Sequence, residues 1–185
     1  MQEFINDIIS VFNANPVAQI VGLVAMVGQI ISALIKEDRK FIYWQTISIG
    51  LWALHFGLIS FFIPMGVALL NMIRGFIVLK IGQSTKLFFI FLVIYLINGY
   101  LGYKDIYSIL GIIGSLIILY TMFFFYGTGI KFRIGFLVGG SVWMLYHIFA
   151  TQSIGSIISQ TFMMTFHFIT LTRLYKDKKL EINKN

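Results

Sequence analysis

Long runs of apolar residues, separated by short polar or charged segments, dominate the chain from residue 16 onwards. Each run is close to the roughly 20 residues that an α-helix needs to cross a bilayer. The pattern predicts seven transmembrane helices. We place them at about Val17–Ile35, Phe41–Ser60, Ile63–Ile81, Leu87–Leu101, Tyr107–Tyr126, Phe132–Ala150 and Gln152–Leu174.

The two ends of the chain differ from these runs. Residues Met1–Asn15 carry apolar positions on one helical face, which predicts an interfacial helix too short to span. Pro16 then stands at a helix start, where its missing N–H costs little. No basic leader with a small-residue cleavage site is present, so we expect no cleaved signal peptide. The charged segment Tyr175–Asn185 predicts a frayed tail.

Composition supports a membrane protein. The 185 residues are 58% hydrophobic and 11% charged, whereas a soluble domain carries about 25% charged residues. Too few polar side chains remain to cover a folded surface, so lipid must be the solvent. The chain has no cysteine, which excludes disulfides, thiolate metal sites and cysteine nucleophiles.

The basic residues alternate between the two sides of the predicted bundle. With the N-terminus outside, the outer segments hold only Lys104, and Arg74 lies within a run. The positive-inside rule therefore predicts an external N-terminus and a cytoplasmic C-terminus. It also accounts for the net charge of +7 without nucleic acid as a partner. The inner segments hold 12 of the 14 Lys and Arg residues: Lys36, Arg39, Lys40, Lys80, Lys86, Lys131, Arg133, Arg173, Lys176, Lys178, Lys179 and Lys184.

An internal repeat is indicated by three matches that fall in the same order along the two halves. Weak repeats of this kind are typical of small transporters. The alternative is that any two apolar helices look alike. The matches, at offsets of 89, 91 and 89 residues, are IVGLV at 20–24 with ILGII at 109–113, WAL at 52–54 with WML at 143–145, and GVALLN at 66–71 with GSIISQ at 155–160.

The repeat predicts the architecture. Runs one to three correspond to runs five to seven, and a single linker helix returns the second unit to the orientation of the first. We therefore predict an all-α integral membrane protein, in which two parallel three-helix bundles are joined by a linker helix. The bundles are residues 17–81 and 107–174, the linker is 87–101, and residues 175–185 form a cytoplasmic tail of this single membrane domain.

Four polar or aromatic residues occupy equivalent positions in the two halves. Trp52 and Trp143 lie inside their runs rather than at the interface, and could form two aromatic walls of a cavity; the alternative is packing or lipid contact. Asn71 and Gln160 could hydrogen-bond a polar substrate, because an unpaired amide in hydrocarbon is costly. The alternative for both amides is a helix–helix hydrogen bond.

Arg74 follows Asn71 by three residues, so the two side chains share a helix face. No acidic residue falls inside a predicted run, so Arg74 has no obvious carboxylate partner there. It could bind an anionic substrate group, or backbone carbonyls and the Asn71 amide. The alternative is snorkelling, since Lys80 is roughly 9 Å further along the helix and marks the headgroup region.

Three histidines lie on three different runs: His55, His147 and His167. They could in principle ligate a metal, but no His-x3-His spacing or carboxylate companion supports a site, so we predict no metal and no cofactor. A hydrogen-bonding or proton-linked role for His55 and His147 remains open beside that of a satisfied buried histidine. No carboxylate pair or nucleophile–base–acid set appears, and we do not expect an enzyme.

Two motifs carry a resemblance: G-x-W-x-L-H-x-G-L at Gly50–Leu58 and N-x-x-R at Asn71–Arg74. With the length and the seven runs, they resemble bacterial inner-membrane proteins of the YgjV type over nearly the whole chain. The architecture is also similar to SWEET, semiSWEET and PQ-loop transporters. That group has a Trp and an Asn from each bundle in its pocket, which implies Trp52 and Asn71, then Trp143 and Gln160. The Pro-Gln pair of that group is absent here.

The sequence thus predicts a small-solute transporter of the bacterial inner membrane, working by alternating access between the bundles. The substrate would be sugar-like or a small polar or anionic metabolite, and Arg74 favours a substrate with an anionic or strongly hydrogen-bonding group. The alternative is a receptor, sensor or assembly factor that uses the same pocket without transport. The expected partners are a small molecule and the lipid bilayer, and oligomerisation is possible but not required.

Overall fold

A computed structural model of the chain describes residues 15–60, 62–103, 105–151 and 154–183, and within these ranges it forms seven α-helices and no strand. The all-α prediction with seven helices is confirmed. The predicted interfacial helix at Met1–Asn15 lies outside the described residues, apart from Asn15. The helices are α1 Pro16–Leu34, α2 Asp38–Leu58, α3 Phe62–Ile81, α4 Thr85–Leu101, α5 Ser108–Phe124, α6 Ile130–Tyr146 with a π-helical turn at His147–Thr151, and α7 Ile154–Ile182.

Several helices match the dimensions of a bilayer. Among the described residues, three segments are long and apolar enough to cross a membrane: Pro16–Leu34, Pro64–Ile81 and Ile130–Ala150. Helices α4 and α5 are apolar but shorter, at 17 residues each. The multi-pass prediction is therefore supported by length and composition.

Helix α1 begins where its sequence predicts. Pro16 occupies the first turn, and the Asn15 side chain accepts a hydrogen bond of 3.1 Å from the Ala18 N–H. This contact satisfies one of the backbone donors that a helix start leaves without a partner. Asn15 also donates its side-chain amide to the Leu58 carbonyl at 2.9 Å, which ties the start of α1 to the end of α2.

Helix α7 is longer than predicted. It has 29 residues and continues to Ile182, so the fraying expected after Leu174 is not observed. At 1.5 Å per residue it is roughly 43 Å long, and its charged end extends beyond a hydrocarbon layer of about 30 Å. Lys36 pairs with Asp177, which anchors this extension to the α1–α2 connection.

The helices pack in a ring in which neighbours in sequence are mostly neighbours in space. Helix α2 lies between α1 and α3, α6 lies between α5 and α7, α4 packs on α5, and α7 returns to α1. The linker helix thus packs mainly on the second set of three, and the bond from Arg74 to Tyr95 connects it to α3. The bounds assigned to the two bundles stay a prediction.

Small residues allow the close approach of neighbouring helices. A methyl group at Gly22 would lie 2.9 Å from His55 Nδ1, and one at Gly111 would lie 3.3 Å from Tyr146 Cδ2. Gly111 is 89 residues after Gly22, and Tyr146 is 91 residues after His55, which are the offsets of the predicted repeat. The two halves therefore use the same small-on-aromatic contact between their first and second helices, which supports the repeat.

Candidate functional site

A polar cavity of about 220 Å³ lies inside the ring, and six of the seven described helices contribute to its wall. Its position is near mid-membrane, because Asn71 is the tenth of the 20 residues of α3. The polar and aromatic lining residues are Gln29 from α1, Gln45 and Thr46 from α2, Asn71 and Arg74 from α3, Tyr95 from α4, Ser115 from α5 and Trp143 from α6.

Arg74 and Asn71 meet at the hydroxyl of Tyr95. Arg74 Nη1 donates to the Tyr95 oxygen at 2.7 Å, and the Tyr95 hydroxyl donates to Asn71 Oδ1. The spacing of three places both α3 residues on the face that points to α4. Tyr95 therefore fixes the orientation of the two predicted site residues and connects the linker helix to the cavity.

Arg74 faces the cavity and does not snorkel. Its exposed fraction is 5%, and its guanidinium is directed to Tyr95 rather than to the helix end. Its Nε has no hydrogen-bond partner among the described residues, and none of the described lining residues is Asp or Glu. A buried cation without a counter-ion is unfavourable, so the wall at Arg74 favours a negatively charged or strongly accepting guest.

Trp143 lines three voids inside the bundle. Besides the central cavity, it lines one void of about 240 Å³ and another of about 200 Å³. The first shares Asn71 and Tyr95 with the central cavity, and the second shares Gln29 and Gln45. One indole ring therefore borders all three voids.

Gln160 makes a helix–helix hydrogen bond. Its Nε2 donates to the Gly140 carbonyl at 3.0 Å, which joins α7 to α6. The side chain also borders the void of about 200 Å³ that shares Gln29, Gln45 and Trp143 with the central cavity. Gln160 thus lies close to the cavity while its amide holds two helices together, as the alternative interpretation predicts.

Trp52 and His55 are not among the described residues that line the central cavity. The Trp52 ring stacks on Phe56 with centroids 5.8 Å apart and meets His55 edge to face at 5.3 Å. His55 is buried, and its Nδ1 lies 2.8 Å from the Ala18 carbonyl oxygen, so this nitrogen carries the proton. The structure therefore does not bring Trp52 and Trp143 together as two walls, and His55 is a satisfied buried histidine.

The other two histidines are also placed separately. The His147 ring lies 5.6 Å from that of Trp143, in the π-helical turn. His167 is buried on α7, where its ring stacks on Phe136 at 5.5 Å. Among the described residues there is no group of three or more His, Asp or Glu side chains that could hold a metal ion.

A second polar cluster, for which the sequence pattern gives no sign, surrounds Arg133. This residue is 0% exposed, and its Nη2 donates to the Ile35 carbonyl at 2.6 Å. Its Nε lies 3.9 Å from Asp38 Oδ1, and its guanidinium carbon lies 4.1 Å from the centre of the Phe41 ring. The charge pattern places both Arg133 and Asp38 in connecting segments, but each lies in the first turn of a helix and is buried.

Further contacts join the two halves at the same end of the ring. We call this end, which holds the α1–α2, α3–α4 and α5–α6 connections and the last turns of α7, the basic end. Asp38 Oδ2 accepts from the Gly127 and Gly129 N–H groups at 3.1 and 2.9 Å. The remaining bonds are Thr170 Oγ1 to Ala33 O at 2.7 Å, Arg173 Nη1 to Leu34 O at 3.1 Å and Gln83 Nε2 to Tyr126 O at 2.7 Å.

Comparison with known proteins adds one positive result. A family model described as bacterial inner membrane protein, Imp-YgjV, matches residues 16–178. No curated protein and no solved structure gives a significant match. The resemblance to SWEET-type transporters thus stays a prediction, whereas the family match reaches into every helix described above. The chain belongs to the Imp-YgjV family of bacterial inner membrane proteins.

Proposed function

We propose that this protein is a small-solute transporter whose substrate binds in the central cavity. The observation that carries the proposal is a polar cavity, lined from six helices, midway along a bundle of predominantly apolar helices. Polar side chains at membrane depth are costly, and they typically mark a substrate or ion pathway. Both halves of the chain and the linker helix contribute to the wall, as expected for a site between two moving units.

The contacts between the halves support alternating access. The hydrogen bonds from α1 and α2 to α6 and α7 gather at the basic end, around Asp38 and Arg133. We propose that the basic end faces the cytoplasm, with the N-terminus outside, because Lys and Arg are enriched in cytoplasmic loops. On this orientation these bonds join the two halves at the cytoplasmic end, and transport requires them to open.

The proposal includes no cofactor, no metal and no catalytic step. The central cavity is lined by amide, hydroxyl, guanidinium and indole groups. These groups are suited to binding and releasing a solute through hydrogen bonds and ring contacts. Facilitated passage is sufficient, and a single chain contains the whole cavity.

Uptake into proteoliposomes tests the proposal. The purified protein is assayed with radiolabelled glucose, glycerol, lactate and pyruvate against protein-free vesicles. We expect at least one of these solutes to enter faster with protein present, and Trp143→Ala to lower that uptake at least tenfold, because it removes the ring shared by all three voids.

Trp44→Ala is the matched control, because Trp44 is 42% exposed on α2 and lies outside the cavity lining. Its uptake should equal that of the unmodified protein. Uptake no faster than in protein-free vesicles for every solute would refute transport of these classes. An equal loss in both tryptophan variants would mean that Trp143 acts through stability alone.

The charged extension of α7 favours one second candidate, a receptor or assembly factor. Lys176, Lys178 and Lys179 lie on this extension, and all three are exposed, although anionic headgroups would also attract them. A chain truncated after Leu174 separates the two functions. A transporter should retain uptake, whereas a receptor that signals through this helix should bind its solute and lose its cellular output.

A further inference from the structure

We infer that the central cavity binds a small monocarboxylate, with the carboxylate on Arg74. The inference rests on the transport function proposed above, and it specifies the chemical class of the substrate. It depends on three observations: the uncompensated charge of Arg74, the geometry of its free donors, and the neutral hydrogen-bonding groups elsewhere in the lining.

The charge of Arg74 calls for an anion. Its side chain is 5% exposed and lines the cavity, and arginine stays protonated in proteins. The described lining residues include no carboxylate, and Tyr95 supplies only a neutral hydroxyl. A bound solute with one negative charge therefore compensates the positive charge of Arg74, whereas a neutral solute leaves this cation buried without a counter-charge.

The free donors of Arg74 suit a carboxylate. A guanidinium has five N–H donors in a planar fork, of which one is directed to Tyr95. The bond to Tyr95 uses only one of these donors, so the Nη groups retain donors for two oxygen atoms. A planar carboxylate accepts two parallel bonds from such a fork, which a spherical ion cannot do.

Among the described lining residues Arg74 is the single cation, so the substrate should carry a single carboxylate. The other buried arginine among the described residues, Arg133, is bonded to the Ile35 carbonyl and faces Asp38 at the basic end. Arg133 is not among the residues that line the cavity. A dicarboxylate would thus place its second charge against amides and hydroxyls, without a cation.

The other polar and aromatic lining residues predict the rest of the substrate. Gln29, Gln45 and Thr46 present amide and hydroxyl groups, and Trp143 presents a ring surface. A volume of about 220 Å³ corresponds to roughly seven water molecules at ~30 Å³ each. The cavity therefore fits an acid of a few carbon atoms that carries a hydroxyl or carbonyl group, such as a 2-hydroxy or 2-oxo acid.

Paired probes test the charge requirement. Lactate and lactamide have nearly the same shape and differ in the negative charge, as do glycolate and glycolamide. Binding to the full chain in nanodiscs is measured by calorimetry and by the shift in Tm at constant ionic strength. We expect each acid to bind at least tenfold more tightly than its amide, and to raise Tm by mass action.

Variants on α3 assign the charge requirement to Arg74. Arg74→Gln should weaken lactate binding at least tenfold and remove the preference over lactamide. Lys80→Gln removes a cation outside the cavity lining from the same helix and should leave both affinities unchanged. Arg74→Lys keeps the charge without the planar fork and should bind lactate with intermediate affinity, and it replaces Arg74→Gln if that variant does not fold.

Several outcomes would overturn the inference. Equal binding of lactate and lactamide, equal lactate binding by the unmodified protein and Arg74→Gln, or no binding of either acid would each do so. Chloride or phosphate binding as tightly as lactate would exclude carboxylate recognition. If glucose is transported while neither acid binds, the proposed transport function is retained and the monocarboxylate inference is wrong. If lactate binds through Arg74 but no solute is transported, the monocarboxylate inference is retained and the proposed transport function is wrong.

Discussion

At the scale of single residues, Asn71 and Arg74 show which features of the site can be predicted from the sequence and which cannot. Their spacing of three predicts a shared helix face, and both indeed line the cavity and contact one hydroxyl. That hydroxyl belongs to Tyr95, 21 residues after Arg74. The role of Tyr95 could not be predicted from the sequence, because it depends on the rotation of α4 against α3. The choice between a cavity-facing and a snorkelling Arg74 depends on the same packing.

Tyr95→Phe is predicted to destabilise the protein by about 1–3 kcal/mol, because it leaves Arg74 Nη1 and Asn71 Oδ1 without their common partner in a buried site. Thermal unfolding in detergent should show a lower Tm. Tyr120→Phe, at a half-exposed position on α5, is the matched control and should leave Tm unchanged. Equal Tm values for Tyr95→Phe and the unmodified protein would mean that water or lipid replaces the hydroxyl.

At the scale of helices, the apolar runs predict that the helices exist and in which order they follow. They predict less well where each helix ends. A span of about 20 residues follows from bilayer thickness, and all seven predicted runs correspond to helices among the described residues. Contacts between distant segments decide the rest. Helix α7 continues through its charged residues where Asp177 pairs with Lys36, and the charges of Arg133 and Asp38 are buried where two helix starts meet. Local sequence carries no signal for either contact.

Gly75→Ala is predicted to destabilise the protein by about 1–3 kcal/mol, because its methyl group would overlap Thr46 Oγ1 where α3 packs on α2. Gly66 lies on the same helix, and no atom of the described residues lies within 4 Å of the position that a methyl group would take there, so Gly66→Ala should be neutral or slightly stabilising. Chemical unfolding of the two variants compares them. Thr46→Ala combined with Gly75→Ala should restore part of the loss, and an absence of any recovery would place the strain elsewhere.

At the scale of the whole molecule, the sequence predicts on which side the charges lie, but it does not show which charged side chains are buried. Alternation of basic residues predicts an orientation, and those of the predicted inner residues that the structure describes lie at the basic end. Counting charges treats Arg133 as one more loop residue. The fold instead places it at 0% exposure between the two halves, where it bonds to the Ile35 carbonyl beside Asp38. One set of residues can thus set orientation and hold the halves together.

Cross-linking the basic end tests whether the two halves must separate there during transport. The chain has no native cysteine, so Lys36→Cys and Asp177→Cys introduce a single reactive pair at an existing ion pair between the α1–α2 connection and α7. A bifunctional methanethiosulfonate should lower proteoliposome uptake at least tenfold, and dithiothreitol should restore it. Glu37→Cys with Lys40→Cys, an ion pair within the first half, is the control and should retain uptake after cross-linking. Full uptake by the cross-linked Lys36–Asp177 variant would mean that the basic end stays closed during transport, and the alternating-access proposal would then be wrong.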